Sequence, residues 1–325
     1  MDRCRRAMKI VDIVLPVYNE EEVLDAFHSS LTAALQPLEL NYRFNICYVL
    51  DRSTDRSIDV LKRIVDRDRS VTVVHLSARF GHQMSLVAGI DRSRGDAVIM
   101  MDCDLEHPPE LIPRLLEELE RGYDIVHAVR QYGNQTGTLK RWSSATFYRL
   151  QNAMSPVEMQ PGAADFRVVS RKVARVFQTS IRERNQFLRG LFQWVGFRST
   201  VVPFVSPPRQ RGKTKYDVRR LVTFSMAGIL SFSKVPLRAA TLLGFFISTL
   251  SLGYGFWLIG AFFVVGHPPP GYTSLFVMMS FLGGLQLTVL GVLGEYLGSV
   301  FEEVKQRPLY IVDEVVGGEM IVSGT

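Results

Sequence analysis

Over the first 130 residues, short β-branched apolar runs alternate with helix-like segments. Ile10–Leu15, Phe44–Leu50, Val71–Leu76, Ala97–Met101 and Ile125–Val129 predict strands; Glu21–Leu35, Asp55–Arg67, His82–Ser93 and Pro108–Arg121 predict helices. The strand runs are apolar almost throughout, as strands covered on both faces require. The predicted fold class is therefore α/β, with a mainly parallel sheet flanked by helices. Such sheets bind ligands beyond the carboxyl ends of their strands, so chemistry is expected in the loops that follow them.

The pattern changes after Arg238. Ala239–Gly294 is a 56-residue window without Asp, Glu, Lys or Arg. A transmembrane helix needs roughly 20 apolar residues, so the window has room for two. His267-Pro268-Pro269-Pro270-Gly271 interrupts it, because consecutive prolines cannot continue a helix. Spans are predicted over Ala239–Val265 and Thr273–Leu297. Lys234, Arg238, Lys305 and Arg307 flank their outer ends, and the connecting loop has no Lys or Arg, so a multi-pass protein with both termini cytoplasmic is expected. Gly284, Gly291, Gly294 and Gly298 lie near one face of the second span, either as a contact surface for a homo-oligomer or as the ordinary tolerance of membrane helices for glycine. Asp217–Val235 mixes Arg219 and Arg220 with Leu221, Val222, Phe224, Ile229 and Phe232, the pattern of an interfacial amphipathic helix or of a core helix. The predicted organisation is a soluble domain over 1–216, a juxtamembrane amphipathic helix over 217–238, two transmembrane helices within 239–297 and a C-terminal tail over 298–325.

Composition sharpens this partition. A 325-residue chain suits one large or two ordinary domains. All charged residues lie outside the window, where they make up about 26% of the sequence, an ordinary soluble value. A wholly soluble enzyme and a polytopic transporter both fit poorly. The net charge of +6 is uneven: residues 1–238 hold 36 basic and 26 acidic side chains, residues 295–325 only 2 basic and 6 acidic. Arg209–Arg238 carries Arg209, Arg211, Lys213, Lys215, Arg219, Arg220, Lys234 and Arg238 against Asp217 alone. Beside a membrane segment, that cluster predicts contact with anionic headgroups or phosphates, and no nucleic-acid partner is expected. Cys4, Cys47 and Cys103 form no C-x-x-C pair, so neither a disulfide framework nor a structural zinc site is indicated. The N-terminus begins basic and then apolar like a signal peptide, but Asp12 interrupts the run and Tyr18–Glu22 ends it early, which predicts a cytosolic start.

Three polar clusters follow predicted strands: Pro16-Val17-Tyr18-Asn19-Glu20, Asp51-Arg52-Ser53-Thr54-Asp55, and Asp102-Cys103-Asp104-Leu105-Glu106-His107-Pro108-Pro109. No G-x-G-x-x-G or G-x-x-x-x-G-K-[ST] follows any strand, which disfavours dinucleotide and P-loop sites. In the D-x-D cluster, two carboxylates leaving a buried strand can converge on one Mg²⁺ or Mn²⁺ that keeps positions free for a diphosphate. Such a cation would neutralise charge on a departing nucleotide. An acidic pair capping the following helix is the alternative.

Together these residues resemble the inverting glycosyltransferases of GT-A fold that load a sugar from a nucleotide diphosphate onto a polyprenyl phosphate, the dolichol-phosphate mannose synthase and bactoprenol glucosyltransferase group. The resemblance runs from about Ile10 to Val312. Its motifs are P-V-Y-N-E at Pro16, D-x-S-x-D at Asp51, F-G-H-Q at Phe80, M-D-C-D-L-E-H-P-P at Met101, D-F-R at Asp165, F-L-R-G at Phe187, G-K-T-K-Y at Gly212, and G-E-Y-L-G with R-P-L-Y-I-V near the C-terminus. It implies a bacterial inner-membrane enzyme acting on undecaprenyl phosphate. It implies donor contacts at Pro16, Tyr18, Glu20, Val49, Asp51, Asp102, Cys103 and Arg130, and metal ligation by Asp102, Asp104 and Glu106. Arg209, Arg211, Lys213 and Lys215 would face acceptor or donor phosphates. Asp104 and Asp165 would stand at the reacting centre, Asp165 as base or positioning group. A phosphate monoester is already largely ionised at pH 7, with a second pKa near about 6, so charge compensation matters more than a base.

The sequence departs from that family in two places. Leu50-Asp51 stands where an acidic pair is usual, with Arg52 and Arg56 nearby, which bears on nucleotide-base readout. Glu106 stands where Gln is common. Two other functions compete. A processive polysaccharide synthase would need Q-x-x-R-W, whereas Arg141-Trp142 has Thr138 in place of the Gln. A membrane adaptor that has lost catalysis draws support from Leu50.

Overall fold

The computed structural model describes residues 8–131, 163–184, 186–205, 235–265 and 271–318. The chain forms two units: residues 1–152, 157–218 and 307–325 make the first, and residues 153–156 and 219–306 the second.

In the first unit, β1 (Lys9–Val17), α1 (Leu24–Leu35), β2 (Tyr42–Leu50), α2 (Ser57–Arg67), β3 (Val71–Leu76), α3 (His82–Arg92), β4 (Ala97–Met100), α4 (Ile112–Glu120) and β5 (Ile125–Arg130) follow the predicted alternation. They continue into β6 (Ala163–Ser170), α5 (Arg171–Thr179), α6 (Leu188–Trp194) and β7 (Ser199–Phe204), which the strand and helix pattern had not assigned. The sheet order among the described residues is β7-β5-β6-β4-β1-β2-β3, closed on its far edge by β8 (Val312–Val316). β1 pairs in parallel with β2 and β4, and β2 with β3. β6 runs antiparallel to both neighbours, and β8 antiparallel to β3, so the sheet is mixed where a mainly parallel one was expected.

Ile13, Val14 and Leu15 in β1 and Val98, Ile99 and Met100 in β4 are fully buried, because helices cover both faces. Gly89 lets α3 lie against β1, since a Cβ there would clash with a methyl of Val14. Asp12, the residue that breaks the apolar run, is buried and accepts hydrogen bonds from Asn45 Nδ2 (2.7 Å) and the amides of Arg94 (2.6 Å) and Gly95 (2.7 Å). Its charge ties β1 to β2 and to the turn before β4. Part of the stretch expected to be a C-terminal tail forms an edge strand: β8 covers the backbone groups of β3 that would otherwise be exposed.

In the second unit, α7 (Val235–Val265) and α8 (Tyr272–Val304) fall on the two predicted spans, with α8 running seven residues past Leu297. Phe245, Phe246, Phe256, Trp257 and Phe263 on α7 and Phe281, Leu287, Leu290 and Leu297 on α8 are exposed. Among the described residues, one stretch, Phe281–Val304, is long and apolar enough to cross a membrane; Leu237–Ser251 is a shorter apolar stretch. The expected pair of crossings is thus met by one candidate span. The amphipathic segment predicted before α7 and the prolines of the connecting loop lie outside the described residues.

Candidate active site

The carboxyl ends of β1, β2 and β4 surround a cavity of about 310 Å³ lined by Pro16, Val17, Tyr18, Glu20, Asp51, Arg79, Gly81, His82, Ser85, Asp102, Cys103 and Asp104. All three loops singled out in the sequence reach it. Two of them are laced together: Asn19 Oδ1 accepts the Thr54 amide (2.8 Å), Ser53 Oγ accepts the Asn19 amide (3.1 Å), Ser57 Oγ accepts the Glu20 amide (3.0 Å), and Asp55 accepts the Glu21 amide (3.1 Å). Asp55 also caps α2 through Ser57, so D-x-S-x-D builds the loop as much as it faces the cavity. Burial alone would raise the Asp55 carboxyl, but these hydrogen bonds hold it below the usual value.

Asp51, expected at a base-reading edge, lines the cavity and also holds a neighbouring loop. Its two carboxylate oxygens accept the amides of Phe80 (2.8 Å) and Gly81 (2.9 Å), so it fixes the loop leading into α3. That loop carries Arg79, whose guanidinium lies 4.2 Å from the centre of the Tyr18 ring. Val49 is wholly buried in β2 and does not line the cavity.

The D-x-D turn is strained and well anchored. Leu105 has φ +61°, a left-handed conformation costly for a branched side chain, and Asn19 in the facing loop has φ +56°. Cys103 is buried with its thiol donating to the Pro16 carbonyl (3.1 Å), and burial pushes that thiol well above its ordinary pKa. His107 Nδ1 accepts the Asp102 amide (3.0 Å). Burial, and then Arg130, lower His107 to about 3, so it is a neutral ring with its proton on Nε2.

Two acidic groups result. Glu20, Asp102 and Asp104 are crowded on one wall. Burial, then Asp104, Asp102 and Asp55, raise Glu20 to about 7; burial chiefly raises Asp102 to about 6, with Asp165 and Asp104 adding to it and His82 opposing. Asp102 Oδ1 is buried and accepts no hydrogen bond. Asp165 is the opposite case. Arg189 grips it with two hydrogen bonds (3.0 and 2.8 Å), Arg167 Nη2 donates a third (2.8 Å), and His82 Nε2 stands 3.5 Å away. Burial would raise Asp165, but His82, Arg189 and Arg167 hold it well below the usual carboxylate range. A carboxylate so held is a poor base, and Asp165 is read as a positioning group.

His82 joins the two groups, since its Nε2 is also 3.5 Å from Asp102 Oδ1. Gln83 Oε1 accepts the Leu188 amide at the start of α6 (3.2 Å) and so helps place Arg189. His82, Arg189, Arg167 and Arg79 carried no role in the sequence reading, although F-G-H-Q, F-L-R-G and D-F-R already marked three of them.

The chemistry of the donor set fits a hard divalent cation at Asp102 and Asp104. Glu20 and Asp102 have raised pKa values beside Asp104, and an Asp102 oxygen accepts no hydrogen bond, a crowding that such an ion relieves. Glu106, the expected third ligand, accepts through Oε2 from Nη2 of Arg130, the expected donor arginine, at 2.8 Å. Among the described residues, no three His, Cys, Asp or Glu side chains are gathered as a metal-ligand set. Arg209, Arg211, Lys213 and Lys215 lie outside the described residues.

Comparison with known proteins now bears on this geometry. Residues 12–177 match the family described as Glycosyl transferase family 2. The chain is 43% identical over 311 residues to an uncharacterized glycosyltransferase of Synechocystis, covering 96% of this chain and 97% of that one. It is 38% identical over 304 residues to a prophage-derived bactoprenol glucosyl transferase of Shigella flexneri, covering 93% and 97% of the two chains. It is 36% identical to a prophage bactoprenol glucosyl transferase homolog of Escherichia coli, covering 94% and 99%. With its family match over residues 12–177 and similarity along nearly its whole length, this chain belongs to glycosyl transferase family 2.

Proposed function

We propose that the protein transfers a single sugar, with inversion, from a nucleotide diphosphate sugar to undecaprenyl phosphate at the cytoplasmic membrane face, with UDP-glucose as donor. The observation that carries this reading is the cavity wall of Glu20, Asp102 and Asp104, an acidic surface suited to a diphosphate only when a cation stands between them. Whole-length similarity to bactoprenol glucosyl transferases supports the acceptor and the sugar.

In this mechanism Mg²⁺ or Mn²⁺, when bound at Asp102 and Asp104, supplies charge neutralisation for the leaving diphosphate. Tyr18, Arg79 and Pro16 line the part of the cavity that would take the nucleoside. An acceptor phosphate oxygen forms the new bond to the anomeric carbon as the bond from that carbon to the nucleoside diphosphate breaks. The phosphate is already ionised, so no residue need accept a proton. Arg189 and His82, held by Asp165, offer positive charge beside the cavity, and the basic run from Arg209 to Lys215 is assigned to the acceptor headgroup. Phe281–Val304 is the membrane anchor, and the uncharged window Ala239–Gly294 extends it to the preceding helix.

The purified full chain should be given UDP-glucose, other UDP-sugars and GDP-mannose in turn, with undecaprenyl phosphate and Mg²⁺ or Mn²⁺. The expected product is one hexose per lipid, seen by mass, with nucleoside diphosphate released only when lipid is present. A polymer would establish the processive synthase instead, and binding of donor without turnover on any lipid would establish the adaptor.

A further inference from the structure

The C-terminal segment does more than cover an edge. It holds both ends of the stretch that forms one wall of the cavity. At one end, the Ile311 carbonyl accepts the Ser77 amide (2.9 Å) where β3 leaves the sheet, and Arg52 Nη1 donates to the Ser77 carbonyl (2.8 Å). From there the chain runs through Arg79 and Gly81 to His82 and Ser85, all lining the cavity. At the other end, Asp91 in the last turn of α3 accepts the Tyr310 hydroxyl (2.7 Å) and both Nη atoms of Arg182 (2.7 and 3.0 Å). The strap is fixed along its length: Arg184 donates to the Arg307 carbonyl, β8 runs beside β3, and Gly317 and Gly318 (φ +77° and +63°) press so closely on Val65, Val71 and Thr72 that a Cβ at either would clash.

We infer that Tyr310 and the strap it belongs to are positioning elements of the donor site, setting residues 77–91 at the height the cavity needs. The strap begins at Arg307, three residues beyond the end of α8 at Val304, so the segment that shapes the donor wall is continuous in sequence with the membrane anchor. Edge strands usually need only to be blunted, and a few charges suffice for that. Here the edge strand is combined with a half-buried tyrosine hydroxyl on a carboxylate that arginine also grips, at the far end of the helix whose first residue is His82.

The role of the strap in donor binding rests on the proposed function; its mechanical part does not. The full chain in detergent is therefore compared with Tyr310→Phe and with a chain ending at Gln306, by hydrogen exchange at the amides of Phe80, Gly81 and Ser85 and by calorimetric titration with UDP and Mn²⁺. Loss of one hydrogen bond predicts a roughly threefold to tenfold weaker UDP affinity in Tyr310→Phe, with faster exchange at Phe80 and Gly81 and a melting temperature lower by only about 2–4 °C. Removal of the strap predicts a larger loss of both. If the truncated chain does not fold, Tyr310→Phe alone decides the matter. Wild-type UDP affinity and wild-type exchange rates in Tyr310→Phe overturn the inference. Failure of the wild type itself to bind UDP or GDP overturns the function instead, and exchange still decides the strap.

Discussion

Two sets of carboxylates stand within one cavity and its wall, and the protein treats them oppositely. Glu20 and Asp102 are raised to about 7 and 6, mainly by burial and by each other's neighbours. Asp165, buried more fully, is held well below its ordinary value by Arg189, Arg167 and His82. Burial penalises a charge in both places; at Asp165 the contacts with His82, Arg189 and Arg167 outweigh it, whereas at Asp102 His82 offsets it only in part. Arginine partners hold one buried acid in its charged form, while crowding beside the cavity favours the protonated form of the other.

This contrast can be broken from either side. The largest effect is expected in Asp165→Asn, which leaves the buried guanidinium of Arg167 and that of Arg189 without a counter-charge. Breaking such a pair costs about 3–5 kcal/mol, so thermal denaturation should show a large fall in melting temperature, with nucleotide affinity falling only as the fold loosens. Next, Asp104→Ala should fold normally yet lose about a hundredfold in turnover, about 2.7 kcal/mol of transition-state stabilisation, in an assay of lipid-linked sugar. An unchanged rate would remove the cation from the mechanism.

The pH dependence is a smaller effect with a definite sign. Asp102 and Glu20 hold protons in the free protein below about 6 and 7, and a cation must displace them. Mn²⁺ affinity should therefore rise with pH, by about tenfold per unit below pH 6 for one displaced proton, and flatten above pH 7. Without metal the linkage runs the other way. Raised carboxylates favour the folded state at low pH, and that contribution is lost as pH rises through 6 to 7. The smallest effect is expected for Glu106→Gln. It keeps a hydrogen-bond acceptor for Arg130 and removes no metal ligand, so turnover should change by less than about threefold, roughly 0.6 kcal/mol.

Most of the strand and helix pattern between Ile10 and Arg130 could be read from the sequence, because strands buried on both faces leave continuous apolar runs. β6 and β7 could not: Ala163–Ser170 contains Asp165 and Arg167, whose charges disguise a core strand until their pairing is seen. β8 was hidden for a different reason, since Val312–Val316 carries Asp313 and Glu314 and looks like a charged tail. At the site, Pro16, Tyr18, Glu20, Asp51, Asp102, Cys103 and Asp104 do meet in one cavity, because strand ends bring their loops together. Motif order could not show which side chains pair with each other. Glu106 lies two residues from Asp104, but the left-handed turn at Leu105 sends it to Arg130.

The division between the two acidic sets is tested most directly by titrating Mn²⁺ into the UDP-bound full chain and reading free ion by electron paramagnetic resonance. One tight site is predicted in the wild type, lost in Asp102→Asn and in Asp104→Ala, and kept in Glu106→Gln. Retention of the site in Asp104→Ala, or its loss in Glu106→Gln, would contradict the account.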